Sequence, residues 1–362
     1  MGGRFCSQKL YVNRKVPPEM NMLYFSSDYM EGAHPKLMER LMETNLEKTA
    51  GYGTDPYCEA AGEKIREACN APDADVFFLT GGTQTNRVVI DCLLMPYQGV
   101  MAAESGHISV HEAGAIEQGG HKVLALPQEN GKVSASGVEE CIQAYLQDDN
   151  REHMVMPGML YLSQPTEYGT LYSLKELKEL SALCRKHDAA LYVDGARLAY
   201  ALAAPENDVT LPDLAAYCDA FYIGGTKCGA LFGEAVVFPK KNRVPHFFSM
   251  VKQHGALLAK GRIAGLMFDT LFTDDLYRKI GENGIKRAAR LREALKEKGY
   301  RLLFDSPTNQ IFVEMTQEKR RKLEEQVVMG FMENLPEDKV IMRFCTGFAT
   351  TEEEVEQLIG LL

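Results

Sequence analysis

Two apolar, strand-like segments of this chain each lead into one polar functional group. Residues 190–193 are followed directly by Asp194, and residues 220–223 are followed, across a short Gly-rich turn, by Lys227. Ligands collect at the carboxyl ends of strands in α/β sheets. A lysine with restricted hydration has a lowered pKa and becomes a usable nucleophile. The pair predicts a pyridoxal 5′-phosphate (PLP) site, where the amine forms a Schiff base and the carboxylate keeps the ring nitrogen protonated.

A glycine-rich turn supplies a third element of such a site. Gly81 to Asn86 follow the strand-like segment Val76–Leu79 and open a predicted helix. Glycines let the backbone approach an anion closely, so Gly82 and Thr83 are candidates for phosphate binding. The alternative is a plain turn with Thr83 as a helix cap. The turn lacks the P-loop lysine and the GxGxxG spacing, which disfavours a nucleoside triphosphate or dinucleotide.

A histidine follows another strand-like segment. His107 comes four residues after Val100–Ala103. In the same crevice, an imidazole could stack on a planar cofactor or act as an acid or base. The alternative is a structural histidine with satisfied hydrogen bonds. The sequence favours the functional interpretation, because the position of His107 after a strand-like segment places it in the same crevice.

Apolar strands and amphipathic helices alternate along most of the chain, which predicts a mostly parallel seven-stranded sheet with helices on both faces. The predicted strands are 76–79, 100–103, 122–126, 159–162, 191–193, 220–223 and 235–238, and the predicted helices between them include 35–45, 58–70, 85–95, 138–147 and 173–187. The C-terminal part predicts a smaller α+β unit with a long helix at 276–298, strands at 310–313 and 339–344, and helices at 323–334 and 351–362.

These elements predict four units along the chain. They are an N-terminal arm (1–22), a large cofactor-binding domain (23–243), an inter-domain helical region (244–275) and a small C-terminal domain (276–362).

The composition excludes several classes of partner. The 362 residues carry a net charge of −10, which disfavours nucleic acid and anionic membranes. No apolar stretch approaches membrane-spanning length. The nine cysteines show neither a CxxC pair nor a secreted spacing, so we expect reduced thiols in a cytoplasmic protein.

Taken together and in order, these segments resemble the threonine aldolase and β-eliminating lyase group of fold-type I PLP enzymes, over roughly residues 24–362. The resemblance is carried by several motifs, namely Ser26-Ser27-Asp28, Gly51 to Pro56, Gly82-Thr83-Gln84-Thr85-Asn86, His107-Ile108, Asp194-Gly195-Ala196-Arg197, Lys227, Arg262 and Arg343.

The resemblance implies an aspartate aminotransferase-like fold and a role for each matched residue. It implies catalytic roles for Lys227, His107 and Asp194. The residues implied to bind the cofactor are Gly82, Thr83, Asn86, His107, Asp194, Arg197, Thr226, Lys227 and Arg262. For the amino acid substrate, it implies Ser27 and Arg343, the latter as the arginine that binds the α-carboxylate. No metal site is expected.

The sequence departs from the group at one loop near the expected substrate pocket. Threonine aldolases commonly carry an Asn-Arg-Ser-Gly-type loop whose arginine is a second carboxylate ligand, whereas residues 163–170 here contain no arginine. Gln164 or Tyr168 could supply neutral hydrogen bonds instead, or Glu167 could select a cationic substrate group. The turn at 224–228 also differs from the usual Ser-Lys-Gly.

The expected reaction is cleavage of a β-hydroxy-α-amino acid of the threonine or allo-threonine type to glycine and an aldehyde. Alternatives on the same fold are β-elimination, racemisation or transamination, and a PLP-binding protein without turnover remains the non-enzyme alternative. The resemblance also implies a homodimer or homotetramer, in which the Tyr52–Asp55 loop or Arg262 serves the neighbouring active site.

Overall fold

The computed structural model describes residues 22–304 and 306–362. The predicted arm at 1–22 therefore lies outside the described residues except for residue 22. The helices are α1 (Pro35–Thr44), α2 (Pro56–Ala68), α3 (Gly82–Leu93), α4 (His107–Val110), α5 (Ala115–Gln118), α6 (Ala135–Leu146), α7 (Leu174–Lys186), α8 (Leu198–Ala203), α9 (Leu211–Tyr217), α10 (Phe247–Gln253), α11 (Arg262–Leu271), α12 (Leu276–Glu297), α13 (Gln317–Glu324) and α14 (Glu352–Leu361). The strands are β1 (Leu23–Tyr24), β2 (Asp75–Leu79), β3 (Gln98–Ala103), β4 (Val123–Leu126), β5 (Met156–Ser163), β6 (Ala190–Asp194), β7 (Ala220–Gly224), β8 (Glu234–Phe238), β9 (Arg301–Leu303), β10 (Gln310–Thr316), β11 (Val327–Val328), β12 (Gly330–Leu335) and β13 (Lys339–Cys345).

The large sheet has seven strands, as the sequence predicts, and their order is β2-β8-β7-β6-β5-β3-β4. All pairs are parallel except those of β8, which runs antiparallel to both β2 and β7. One hydrophobic cluster lies on each face of the sheet, because buried side chains of successive strand residues alternate between the two faces. Among the described residues, no helix combines the length and apolar character needed to cross a membrane.

The sheet topology brings several polar groups to one edge. Strands β5 and β6 end there at Ser163 and Asp194, which are paired in register. Strand β8 runs the opposite way, so its first residue, Glu234, reaches the same edge. Glu234 is paired with Leu79 at the end of β2 and with Gly224 at the end of β7.

The C-terminal part forms an antiparallel four-stranded sheet in the order β12-β13-β10-β9. Its buried face packs against α12 and α14 in a third hydrophobic cluster. Leu23 and Phe25 join this cluster, and β1 pairs in parallel with β11. The domain boundaries stay a prediction.

One predicted helix is wrong. Residues 323–334 form the end of α13 and the strands β11 and β12 rather than a helix. Val327 and Met329 are buried while Val328 and Gly330 are partly exposed, and this alternation is the period of a strand. The helix starts earlier, where the Thr316 hydroxyl accepts the backbone N–H of Lys319 and caps it.

Candidate active site

A cleft of about 280 Å³ opens at the carboxyl edge of the large sheet. It brings together most residues that the sequence predicts for the site: Gly82, Thr83, His107, Asp194, Arg197, Thr226 and Lys227 all line it. Side chains that the sequence analysis did not place there, Glu234 and Tyr222, line it as well, and so does Glu167.

The N-terminus of α3 forms one end of the cleft. Its cap residue is Gly81, which provides no side-chain hydrogen bond, so Thr83 lies inside the helix and is not its cap. The N–H groups of the first turn have no partner within a helix. A Cβ atom on Gly82 would lie 3.1 Å from the Tyr222 hydroxyl, so only a small residue fits here without displacing that tyrosine. This helix end is suited to an anion such as phosphate.

Asp194 lies buried at the base of the cleft, with 4% of its surface exposed. Its Oδ2 atom accepts hydrogen bonds from the Tyr161 hydroxyl at 2.6 Å and from Asn86 Nδ2 at 3.1 Å. Its Oδ1 atom accepts the Tyr222 hydroxyl and the backbone N–H of Ala196. Burial raises the pKa of Asp194, but the nearby His107 and the two tyrosine hydrogen bonds outweigh burial and hold this pKa below its usual value. Asp194 is therefore an ionised carboxylate.

The ring of His107 is held by the carboxyl group of Glu112. Its Nδ1 atom lies 2.8 Å from Glu112 Oε1, and Glu112 is buried. Burial lowers the pKa of His107, but the hydrogen bond to Glu112 and the charge of Asp194 reverse this, and the net pKa is raised. The imidazole thus tends to keep its proton near neutral pH.

Asn86 joins these two carboxylates and does not line the cleft. Its Nδ2 atom donates to Asp194 and to Glu112, and its Oδ1 atom accepts the Tyr192 hydroxyl at 2.9 Å. The resemblance names Asn86 among the cofactor-binding residues. In the structure its side chain bonds Asp194, Glu112 and Tyr192 beneath the cleft.

Lys227 lines the cleft together with His107, and its Nζ atom lies 5.7 Å from the centre of the Tyr29 ring. Its backbone carbonyl accepts the Tyr200 hydroxyl at 2.8 Å, which fixes the turn. Burial and the charge of Arg197 lower the pKa of Lys227, against the opposing effect of Asp28 and Asp194. A larger share of uncharged amine makes this lysine a better nucleophile.

Arg197 is fixed by Asp28, which the sequence analysis named only within a motif. Arg197 Nε and Nη2 donate to the two Asp28 oxygens at 2.6 and 2.9 Å, in a bidentate pair. Asn309 Nδ2 donates to the same carboxylate at 2.8 Å. The N-terminal segment and the loop before β10 thus hold this arginine.

Arg343 lies on β13, and neither it nor Ser27 is among the residues that line the cleft. Its Nη2 atom donates to the carbonyl of Ser26 at 2.9 Å, and its Nε atom is buried without a partner among the described residues. The hydroxyl of Ser27 is also buried and without a partner among them. Burial and the charge of His107, followed by the charges of Arg343, Lys227 and Arg197, lower the pKa of His111.

Three predicted substrate groups in the 163–170 loop behave differently from one another. Gln164 is buried and its amide bonds both the N–H and the carbonyl of Tyr172, so its side chain does not reach the cleft. Tyr168 does not line it either and stacks on Phe304, with ring centres 4.2 Å apart. Glu167 does line it, and its Oε1 atom accepts the backbone N–H of His107 and the hydroxyl of Ser163.

Arg262 lies outside this cleft. Its Nη1 atom donates to the carbonyls of Thr44 and Glu47, and its guanidinium lies over the Tyr57 ring at 5.0 Å. The adjacent Gly261 packs closely on Gly53, since a Cβ atom on Gly261 would lie 2.5 Å from the nitrogen of Gly53. The two segments predicted to serve a neighbouring site are thus side by side and remote from their own cleft.

Sequence reasoning missed Glu112 and Glu234. Glu234 interrupts an otherwise apolar strand at its first position, and a lone charge there is a usable signal. Glu112 carries no such signal, because its partner Asn86 is distant in sequence. No group of three or more His, Cys, Asp or Glu side chains suited to a metal ion occurs in residues 22–304 and 306–362.

Comparison with solved structures defines the class. The threonine aldolase of Leishmania major superposes with a TM-score of 0.91 at 40% identity, covering 94% of this chain and 98% of that one. An aspartate aminotransferase of Thermus thermophilus superposes at a TM-score of 0.69 with 16% identity, covering 95% of this chain and 91% of that one. The fold is thus aspartate aminotransferase-like fold type I.

The sequence matches the family described as beta-eliminating lyase over residues 25–318, so the chain belongs to that family. A low specificity L-threonine aldolase of Pseudomonas aeruginosa is 29% identical over 296 residues, which cover 81% of this chain and 84% of the relative. One of Escherichia coli O157:H7 is 24% identical over 351 residues, covering 93% and 97%. The protein is a PLP-dependent lyase.

The cleft residues fit this cofactor. An uncapped helix end suits the phosphate, a buried ionised carboxylate suits a protonated ring nitrogen, and a lysine of lowered pKa suits an aldehyde.

Proposed function

We propose that this protein cleaves a β-hydroxy-α-amino acid of the threonine or allo-threonine type, releasing glycine and an aldehyde. The observation that carries this is the match to the Leishmania major threonine aldolase together with a cleft that joins Lys227, Asp194 and His107. When bound, PLP supplies an aldehyde that reacts with amines and a conjugated ring that accepts an electron pair from the amino acid α-carbon.

The chain's own residues then have separate roles in binding the cofactor and the substrate. Lys227 would hold the cofactor through its amine, Asp194 would keep a proton on the ring nitrogen, and the α3 N-terminus would bind the phosphate. His107, which lines the same cleft, would orient the cofactor ring. Arg343 and Ser27 bind the substrate carboxylate, which supplies the acceptor that their buried atoms lack.

We assign the acceptor of the hydroxyl proton to Glu167. His107 is a poor acceptor because Glu112 and Asp194 favour its protonated form. Asp194 accepts hydrogen bonds on both oxygens, whereas the two contacts of Glu167 to His107 and Ser163 both fall on Oε1. Burial raises the pKa of Glu167, partly offset by Ser163, which brings it toward the range of an effective base.

Oligomeric state and location complete the proposal. We expect a homodimer or homotetramer in which Arg262 and the Tyr52–Asp55 loop complete the neighbouring cleft, since neither lines its own. The eight described cysteines are unpaired, which supports a cytoplasmic location. The decisive experiment is an assay of glycine and acetaldehyde release from L-threonine and L-allo-threonine.

A further inference from the structure

A buried glutamate stands beside the end of the cleft that suits phosphate. Glu234 is 3% exposed and lines the cleft together with Thr80, Gly82 and Thr83. Its backbone is paired with Leu79, which lies two residues before Gly81. An anion seated on the α3 N-terminus therefore shares this cleft with a carboxyl group.

The charged groups around Glu234 do not offset the negative charge of a second anion. The titratable groups that interact with it electrostatically include Asp194, Lys227, Cys228, Tyr192, Tyr222 and Tyr277. Lys227 is the cation in this set, and it also interacts with the carboxylates of Asp28 and Asp194. A dianionic phosphate next to an ionised Glu234 would be repelled.

The hydrogen bonds of Thr226 can rearrange if Glu234 is protonated, which would remove this repulsion. In the ionised state the Thr226 hydroxyl donates to Glu234 Oε1 at 2.8 Å and accepts the N–H of Gly233 at 3.0 Å. A hydroxyl has one donor and two acceptor positions. If Glu234 carried a proton, it would donate to Thr226 Oγ1, and the Thr226 hydroxyl would be free to donate to the phosphate.

We propose that Glu234 belongs to the phosphate subsite as a neutral carboxylic acid, and that binding of a phosphate ester in the cleft takes up one proton at this side chain. The step is an acid–base one: a proton from solvent bonds to a carboxylate oxygen and no electron is transferred. The proposal rests on the cofactor of the proposed function and not on the reaction. Burial of Glu234, partly offset by Thr226, Gly225 and Lys227, raises its pKa to about 8 before any phosphate binds.

The test measures protons taken up on binding. The full chain freed of cofactor is titrated calorimetrically with pyridoxine 5′-phosphate, which lacks the aldehyde and cannot bond to Lys227, in two buffers of different ionisation enthalpy. Pyridoxine without phosphate is the ring-only control. At pH 8.5 the native protein should take up about 0.7 proton more than Glu234→Gln, and this difference should vanish at pH 6.

Controls separate this proposal from other outcomes. Glu206→Gln, a substitution at an exposed glutamate, should behave as the native protein. Equal proton uptake by the native protein and Glu234→Gln at pH 8.5 would overturn the proposal. If Glu234→Gln does not fold, the native protein alone can test the proposal. Equal proton uptake on binding pyridoxine 5′-phosphate and on binding pyridoxine would then overturn the proposal. A failed threonine assay with normal proton uptake would instead reject the reaction and leave this subsite standing.

Discussion

The side chains of Asn86 and Asp194 meet beneath the cleft, with Asn86 Nδ2 3.1 Å from Asp194 Oδ2. The same nitrogen lies 2.8 Å from Glu112 Oε1, so its two hydrogens serve two carboxylates. One neutral amide therefore links the carboxylate expected to face the cofactor nitrogen with the carboxylate that holds His107. The amide donates to both carboxyl groups without adding a charge of its own.

Replacing this amide with a carboxylate should damage both stability and cofactor affinity. Asn86→Asp removes two donated hydrogen bonds and places a third acid between Asp194 and Glu112. We expect a loss of about 3 kcal/mol or more in the free energy of unfolding, measured by urea denaturation, and a weaker PLP affinity. Asn150→Asp, at an exposed asparagine, is the matched control. Native-like stability of Asn86→Asp would contradict the bridging role.

Glu167→Gln tests the proton acceptor. The amide keeps the size of the side chain but cannot accept the hydroxyl proton, so the rate of threonine cleavage should fall by about 10²–10⁴-fold. The absorbance of the bound cofactor should persist, because Lys227 and Asp194 are untouched. Glu104→Gln, at an exposed position of the neighbouring loop, should cleave normally. Cleavage by Glu167→Gln at the native rate would reassign the base.

The raised pKa of Glu234 predicts that the stability of the folded chain depends on pH. Its folded pKa is raised from 4.5 to about 8, so the folded chain keeps a proton that the unfolded chain releases in this range. Stability is therefore lost as pH rises from about 4.5, and the loss is complete above about 8. In cofactor-free protein, Glu234→Gln should gain on the order of 3 kcal/mol relative to the native chain between pH 5.5 and 9. Parallel urea-midpoint curves for the two proteins would contradict this.

Arg262 permits a mixing experiment on subunit sharing. Lys227→Ala and Arg262→Ala should each lack activity alone. If Arg262 serves the neighbouring cleft, hybrids formed by refolding the two together contain one complete site, and about a quarter of native activity should return. The Arg321→Ala variant, at an exposed arginine, should be active alone. No recovery on mixing, with hybrids present, would contradict the sharing of Arg262 between subunits.

The sequence predicted the site residues that follow a strand in the direction of the chain. Asp194, Lys227 and Gly82 fall under that rule, because the strands before them end at the carboxyl edge of the sheet. The rule did not find Glu234, because β8 runs antiparallel to its neighbours and brings its first residue to that edge. Strand direction depends on long-range pairing, which a local pattern does not contain.

Tertiary contacts decide where two other candidate residues use their side chains. Gln164 was predicted to bind substrate from its loop position, but the backbone of Tyr172 takes both ends of its amide. Asn86 was read as a phosphate ligand within its motif, and its partners come from residues 112, 192 and 194. In both cases the residue type was informative, and the identity of its partner required the fold.

The most direct test of the account is release of glycine and acetaldehyde from PLP-loaded protein given L-threonine or L-allo-threonine, with Lys227→Ala in parallel. We predict that the native protein releases both products in equal amounts and that the variant releases neither. Absence of both products from the native protein, with the cofactor spectrum present, would contradict aldol cleavage. Equal release by Lys227→Ala would contradict the role of Lys227.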